Sequence, residues 1–155
     1  MMGNPLFVDT MNALGGNGVA LGFDQVFSSM QTGVVDGAEN NPPSFIAQNH
    51  NQVAKYFTMT EHLIIPELVV YSRASWQKLS PEDQTLIKKL SKEMQQEQRV
   101  LWYAAENAAL EKMKAAGTEI ITDIDKKPFQ DAVKPVWDKY GASQTALIQR
   151  IQDVK

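Results

Sequence analysis

The sequence contains no cysteine among its 155 residues. This absence excludes disulfide bonds, thiolate metal sites and a cysteine nucleophile, but it does not identify the compartment. Long apolar runs are also missing, since no stretch approaches the roughly 20 residues that span a bilayer. No lysine or arginine cluster marks a nucleic-acid or membrane surface, and the formal net charge is only −3. We therefore expect no nucleic-acid partner.

Catalytic, cofactor and metal motifs are absent as well. His50 and His62 are the only histidines, and neither has a partner at metal-ligand or triad spacing, so structural or surface roles are expected. Residues 15–18 are glycine-rich but lack the context of a dinucleotide or phosphate loop, which favours a turn. Trp102 and Tyr103 could stack on a ligand, but adjacent aromatics point along different helix faces, which favours packing. No nucleophile, base and orienting group converge, so no enzyme is predicted.

The composition that remains is that of an ordinary globular protein, with 43% hydrophobic and 21% charged residues. A chain of this length falls within the single-domain range and can bury a substantial core. Helical and extended patterns alternate, which predicts an α/β fold with a sheet covered by helices. The predicted strands are residues 19–21, 34–35, 57–60, 68–71 and 119–122.

One very long helix dominates the second half of the chain. Ser80 is a strong N-cap signal and Pro81 suits the first helical position. Nothing breaks the helical pattern over residues 81–116, and Gly117 stops it. At a rise of about 1.5 Å per residue this spine helix would approach 50 Å. Its apolar stripe lacks steady heptads, which favours packing across a globular body over a free coiled coil.

Shorter helices are predicted on both sides of the spine. Asn4 caps the first, and a second ends at Gly33, because glycine adopts the left-handed conformation without a Cβ penalty. After the spine, residues 128–140 form a helix that Pro135 should bend. Ser143 is predicted to cap the last helix.

A polar loop at residues 36–41 lies between a small hydrophobic unit and the rigid pair Pro42 and Pro43. Loops held in this way often carry binding groups. Within the loop, the Asn40 amide offers both a donor and an acceptor, which suits a hydroxylated acid. From the residues alone, however, the default interpretation is that Asn40 only stabilises the turn.

The same region resembles a known family. Residues 31–40 (QTGVVDGAEN), 53–62 (VAKYFTMTEH) and 75–83 (SWQKLSPED) are similar, in order and spacing, to the signature of DctP-type solute-binding proteins of TRAP transporters. The resemblance spans most of the chain. It implies a periplasmic-binding-protein-like lobe, with a mixed sheet covered by helices and one very long spine helix. It also implies a periplasmic receptor, without cofactor, that captures a small organic acid and presents it to membrane permease subunits.

The resemblance also assigns the ligand site. In the family, the asparagine of the Asp-Gly-x-Glu-Asn run faces the ligand in the cleft between two lobes, and here that position is Asn40. The aromatic residue before the preceding helix also lines the cleft, which implies Phe23. Asn4 and Glu39 are neighbours of these positions and are further candidates.

The chain also departs from the family pattern. In the family, an arginine in a strand that ends immediately before the position of Met1 holds the ligand carboxylate, because its planar fork matches a carboxylate. None of the arginines here lies at that position, and the family's first lobe has no counterpart in the chain. The first five residues also lack the features of a secretion signal. The chain is therefore expected to correspond to the second half of such a receptor.

This correspondence divides the chain. Residues 1–65 and 106–155 would form the second lobe, and residues 66–105 would be a strand-helix excursion that joins the first lobe. Without that lobe the excursion would be exposed, which predicts a homodimer through residues 66–105. The apolar residues expected to be exposed in a monomer are Leu68, Val69, Val70, Leu86, Ile87, Leu90, Met94 and Leu101.

Two functions therefore compete. The first is a portion of a TRAP solute-binding component for small organic acids, with a sugar acid such as a hexuronate as the ligand. The second is a self-associating interaction module that binds no ligand. Thermal shifts across a panel of organic acids would separate the two.

Overall fold

A computed structural model describes residues 3–154 of the chain. The α/β class is confirmed, with helices predominating over a small sheet. In chain order the elements are α1 (Pro5–Ala13), α2 (Val26–Gln31), α3 (Pro42–Ala47), β1 (Tyr56–Thr58), α4 (Arg73–Trp76), α5 (Pro81–Ala115), β2 (Glu119–Ile121), α6 (Lys127–Ala132), α7 (Lys134–Gly141) and α8 (Thr145–Gln152). Short 3-10 turns lie at Phe23–Gln25 and His50–Gln52.

Local signals set the starts of the best-defined helices. The Asn4 side chain accepts a hydrogen bond from the Leu6 N–H at 2.9 Å and caps α1. Ser80 Oγ accepts the Asp83 N–H at 3.1 Å and caps α5. Both caps were predicted, since a cap depends only on residues within one turn. The predicted cap at Ser143 is wrong, because α8 begins one residue later than that cap requires and has no side-chain cap.

The sheet has only two strands, β1 and β2, which run parallel with Phe57 opposite Ile120. The predictions of strands at residues 19–21, 34–35 and 68–71 are wrong, since these residues lie outside the strands of the described chain. Their β-branched content favours an extended backbone, but a strand also needs a neighbouring strand to complete its hydrogen bonds. The described part of the chain supplies that neighbour only for β1 and β2.

The core forms where α3 packs against α5. Met113 on α5 has no exposed surface, and Phe45 on α3 is also buried. The Phe45 ring meets the rings of Phe57 and His50 edge-on, at centroid distances of 5.0 and 6.2 Å. These contacts attach the 3-10 turn and β1 to α3, which packs against the spine helix.

A polar contact holds the C-terminal helices against α1. The Asp9 carboxylate accepts hydrogen bonds from Lys139 Nζ at 2.6 Å and from the Tyr140 hydroxyl at 2.7 Å. These donors, Lys139 first, lower the pKa of Asp9, and the same contact raises the pKa of Lys139. The prediction of a single bent helix over residues 128–140 is wrong, because the chain forms two helices there, α6 and α7. Pro135 lies in the first turn of α7, where its missing N–H is tolerated.

Residues 64–75 are exposed, and so are most residues in the first two thirds of α5. The apolar residues predicted to be exposed in this region are exposed, except Ile87, which is half-buried. No helix within residues 3–154 combines the length and the apolar character needed to cross a membrane.

Candidate ligand-binding cleft

A cleft of about 690 Å³ opens beside the polar loop at residues 36–41. This volume lies within the range of about 300–1,000 Å³ that small-molecule sites occupy. Its apolar lining includes Met11, Met30, Phe45 and Phe57. Its polar lining includes Asp36, Glu39, Asn40, Lys55, Thr60 and His62. The cleft thus combines an apolar wall with several hydrogen-bonding groups.

Helix ends on both sides hold the loop in place. Gly33 adopts a φ of +72° at the end of α2, a conformation that favours glycine. At the other end, Asn41 Oδ1 accepts the Ser44 N–H at 2.9 Å and caps α3. The next residue, Pro42, is buried in the first turn of α3. The loop therefore has fixed ends and a cleft-facing middle.

Asn40 has two roles in this geometry. Its Oδ1 accepts the backbone N–H of Asn41 at 2.9 Å, which is the turn-stabilising role that the residues alone leave open. The same side chain lines the cleft, and its amide nitrogen makes no hydrogen bond within residues 3–154. Two N–H donors thus remain for a ligand acceptor.

Glu39 and His62 connect the loop to the segment after β1. Glu39 Oε2 lies 4.0 Å from His62 Nε2, and His62 Nδ1 lies 2.6 Å from Thr60 Oγ1. Sequence reasoning gave His62 a structural or surface role and did not single out Thr60 or Lys55. The signal that could have identified Thr60 is its position just after β1, since ligands of α/β proteins bind beside the carboxyl ends of parallel strands. Lys55 precedes β1, and this rule does not mark it.

The structure separates the candidate residues that were inferred from the resemblance. Asn40 and Glu39 line the cleft. Phe23 is exposed in the 3-10 turn before α2, and the Asn4 side chain is occupied as the cap of α1. A role in ligand binding stays a prediction for all of them. Within residues 3–154, no group of His, Asp and Glu side chains is arranged to hold a metal ion.

His50 also lines the cleft but is buried, with 2% of its surface exposed. Its Nε2 atom has no hydrogen-bond partner within the described residues. Burial lowers the pKa of His50, because the charged imidazolium loses its hydration. The structural role predicted for this histidine fits its packing against Phe45.

We expect this burial to make the folded chain less stable in mild acid. The pKa of His50 is lower in the folded state than the value of about 6.5 in the unfolded chain, so the unfolded state binds more protons as the pH falls below 7. The contribution of His50 to stability is thus present above about pH 6.5 and declines as the pH falls toward the folded-state pKa. Thermal unfolding midpoints measured from pH 7.5 to 5 should fall more steeply for the wild type than for His50→Phe.

Titration of the His50 ring by NMR provides the direct control. A ring that gains its proton at or above about pH 6.5 in the folded chain would contradict the expectation. Equal slopes of the unfolding midpoint against pH in the two proteins would also contradict it.

Comparison with known proteins places this geometry in a family. The model of the DctP family, bacterial extracellular solute-binding protein family 7, matches residues 1–144. A solute-binding protein of Chromohalobacter salexigens is 36% identical over 155 residues, which are 100% of this chain and 46% of that protein.

Solved structures agree with this match. The TRAP periplasmic solute-binding protein of Pseudomonas putida F1, with bound D-glucuronate, is 55% identical with a TM-score of 0.95 over 100% of this chain and 50% of that chain. A TRAP protein of Sulfitobacter sp. NAS-14.1, with bound β-D-galacturonate, is 41% identical with a TM-score of 0.88 over 96% of this chain and 49% of that chain. The chain spans about half the length of the relatives that it matches. On this evidence the chain belongs to the DctP family of bacterial extracellular solute-binding proteins.

Proposed function

We propose that the chain is part of the solute-binding component of a TRAP-type transporter, and that its ligand is a hexuronate. The observation that carries the proposal is that solved relatives matching this whole chain, or nearly all of it, hold D-glucuronate or β-D-galacturonate. The intact protein would act in the periplasm and deliver the sugar acid to membrane permease subunits. It would bind its ligand without chemical change.

The cleft supplies groups that suit the hydroxyls of a sugar acid. The Asn40 amide can donate to a ring hydroxyl, and the Thr60 hydroxyl can donate or accept. The Lys55 ammonium can pair with the carboxylate, but the cleft has no arginine in its lining. A bidentate partner for the carboxylate would therefore come from the part of the receptor that faces this cleft.

A chimera tests the proposal. We would join the half of the Pseudomonas putida relative that this chain does not match to the present chain, so that both sides of the cleft are present. Calorimetry should detect D-glucuronate and D-galacturonate at micromolar concentration but not D-glucose, because glucose lacks the carboxylate. Asn40→Ala should weaken uronate binding about tenfold, since one net hydrogen bond contributes about 0.5–1.5 kcal/mol.

The matched control is Asn107→Ala, which removes an exposed amide on α5 outside the cleft. It should leave the affinity unchanged. A folded chimera that binds neither uronate would refute the proposed ligand class. If the Asn40→Ala and Asn107→Ala variants bind uronate with equal affinity, Asn40 does not contribute to ligand binding.

The alternative function, a self-associating module that binds no ligand, is not favoured, because solved relatives that match nearly the whole chain hold uronates. We propose separately that the chain alone self-associates through residues 66–105, whose large apolar side chains are exposed in the single chain. Light scattering should then give twice the 17.3 kDa chain mass, and a monomer at tens of micromolar would refute self-association.

A further inference from the structure

The segment that follows β1 contains an uncommon backbone conformation. Glu61 has a φ of +49°, in the left-handed region that favours glycine. Among the non-glycine residues of the described chain, only Asn49 also has a positive φ, and asparagine tolerates this region better than glutamate does. Such outliers persist only where their surroundings enforce them, and they cluster at binding and active sites. Glu61 lies between Thr60 and His62, which both line the cleft.

Contacts on both sides of Glu61 hold this conformation. Before it, the Met59 N–H donates to the Ile121 carbonyl at 2.9 Å, which extends the pairing of β1 with β2 by one residue. The Thr60 N–H then donates to the carbonyl two residues back at 2.9 Å, so the chain turns as soon as the strand ends. The Glu61 carboxylate itself pairs with Lys126, the residue before α6. The bend is therefore built by groups of this chain.

The left-handed residue brings its two neighbours together. In an extended strand, residues i and i+2 lie about 6.6 Å apart, because each residue adds a rise of about 3.3 Å. A bend at the residue between them shortens this separation. Thr60 Oγ1 accordingly lies 2.6 Å from His62 Nδ1, which is the hydrogen-bonded contact described above. The conformation of Glu61 thus couples two side chains of the cleft.

This contact gives the Thr60 hydroxyl a direction. The other ring nitrogen of His62, Nε2, lies 4.0 Å from the Glu39 carboxylate, which only accepts hydrogen bonds. In the neutral ring the proton is therefore favoured on Nε2, and Nδ1 is the acceptor. The Thr60 hydroxyl then donates to Nδ1, and its oxygen keeps acceptor capacity for a donor in the cleft. A sugar hydroxyl is such a donor.

We propose that Glu61 is a positioning residue for the ligand site, and that its left-handed backbone, rather than its charge, holds Thr60 as an acceptor for a ligand hydroxyl. The proposal deepens the proposed function and rests on it, since the ligand is the uronate. The Glu61 side chain in the pair with Lys126 is exposed to 63%, and exposed pairs contribute little. The pair offsets part of the backbone strain but does not set the direction of the neighbouring side chains.

Three substitutions at Glu61 separate the backbone from the charge. In the chimera described above, Glu61→Gly should keep the wild-type affinity for D-glucuronate, because glycine adopts a positive φ readily. Glu61→Gln should also keep it, because this change removes only the charge. Glu61→Val should weaken binding about tenfold, the effect of one lost hydrogen bond, because a β-branched residue is strongly disfavoured at this φ.

A spectroscopic measurement on the chain without ligand reports the same contact. At alkaline pH, the nitrogen NMR shift of His62 Nδ1 should be that of a hydrogen-bonded acceptor in the wild type, in Glu61→Gly and in Glu61→Gln. Thr60→Val provides the reference shift for a ring without this donor, and Glu61→Val should move to that reference. His50 is the only other histidine, so His50→Phe assigns the signals.

Asn49→Val is the matched control, because it imposes the same strain at the other positive φ, on a residue outside the cleft lining. It should lower the thermal unfolding midpoint but leave the His62 shift and the uronate affinity unchanged. Equal losses of affinity in the two valine variants, weaker binding by Glu61→Gly, or a wild-type His62 shift in Glu61→Val would each overturn the proposal. A proton on His62 Nδ1 in the wild type would also overturn it. If the wild-type chimera binds no uronate, the proposed function fails, and the His62 shifts still decide whether Glu61 positions Thr60.

Discussion

The 155-residue chain by itself is expected to bind D-glucuronate and D-galacturonate no more tightly than about 1 mM. The cleft has no arginine in its lining, so a ligand carboxylate would lose its hydration without a bidentate charged partner. The nearby carboxylates of Asp36 and Glu39 would also oppose a second negative charge. Ordinary small-molecule sites bury about 70–90% of the ligand surface, and one side of a cleft buries much less.

The chain alone should bind uronates about 4 kcal/mol more weakly than the chimera does. Micromolar and millimolar affinities differ by about 4 kcal/mol. A hydrogen bond to a charged group contributes about 1.5–3 kcal/mol, so one lost bidentate pair accounts for most of that difference. The dissociation constants that calorimetry gives for the chain and for the chimera, under the same conditions, should therefore differ by about a thousandfold.

The chimera is also the positive control, because it shows that the ligand and the assay are competent. Micromolar binding of either uronate to the chain alone would contradict the prediction. That result would mean that Lys55 and the polar loop hold a carboxylate without an arginine.

Met113→Ala is expected to reduce the free energy of unfolding by about 2–5 kcal/mol. Met113 is exposed to 0% and lies on α5, the helix that packs against α3, so truncation leaves a cavity that its neighbours fill only in part. Its backbone carbonyl also accepts the Thr118 N–H at 2.9 Å, next to β2. Domains of this kind have about 5–15 kcal/mol of net stability, so the loss is a large fraction. Urea unfolding monitored by tryptophan fluorescence would measure it.

Met94→Ala is the matched control, since it makes the same chemical change on the same helix at a residue exposed to 45%. Both variants should be measured at the same protein concentration, so that self-association affects both measurements equally. Met94→Ala should then cost less than about 1 kcal/mol, because little buried surface is lost. Equal losses for the two methionines would show that the core does not centre on Met113.

Sequence reasoning located the helices well where the deciding groups are close together in the chain. The spine helix was predicted over residues 81–116, and α5 is Pro81–Ala115. The Ser80 cap and the stop at Gly117, which has a φ of +81°, act within one helical turn. The polar loop was located for the same reason, since Gly33 and Pro42 delimit it locally.

Sequence reasoning identified only some of the residues that line the cleft. The resemblance named Asn40 and Glu39, which line the cleft, but also Phe23 and Asn4, which do not. The proximity of Glu39 to His62 depends on how β1 and the loop pack, and no periodicity in the sequence encodes it. The contact between Asp9 and Lys139 joins residues 130 positions apart.

The sequence by itself determined the α/β class, the helix starts at Asn4 and Ser80, the long spine helix and the family, because these depend on local chemistry and on motif order. Only the tertiary structure decided that residues 19–21, 34–35 and 68–71 are not strands, since a strand requires a partner supplied by distant chain. It also decided that His50 is buried and that the cleft forms beside the polar loop. Both are consequences of packing, in which residues far apart in the chain exclude water from the same space.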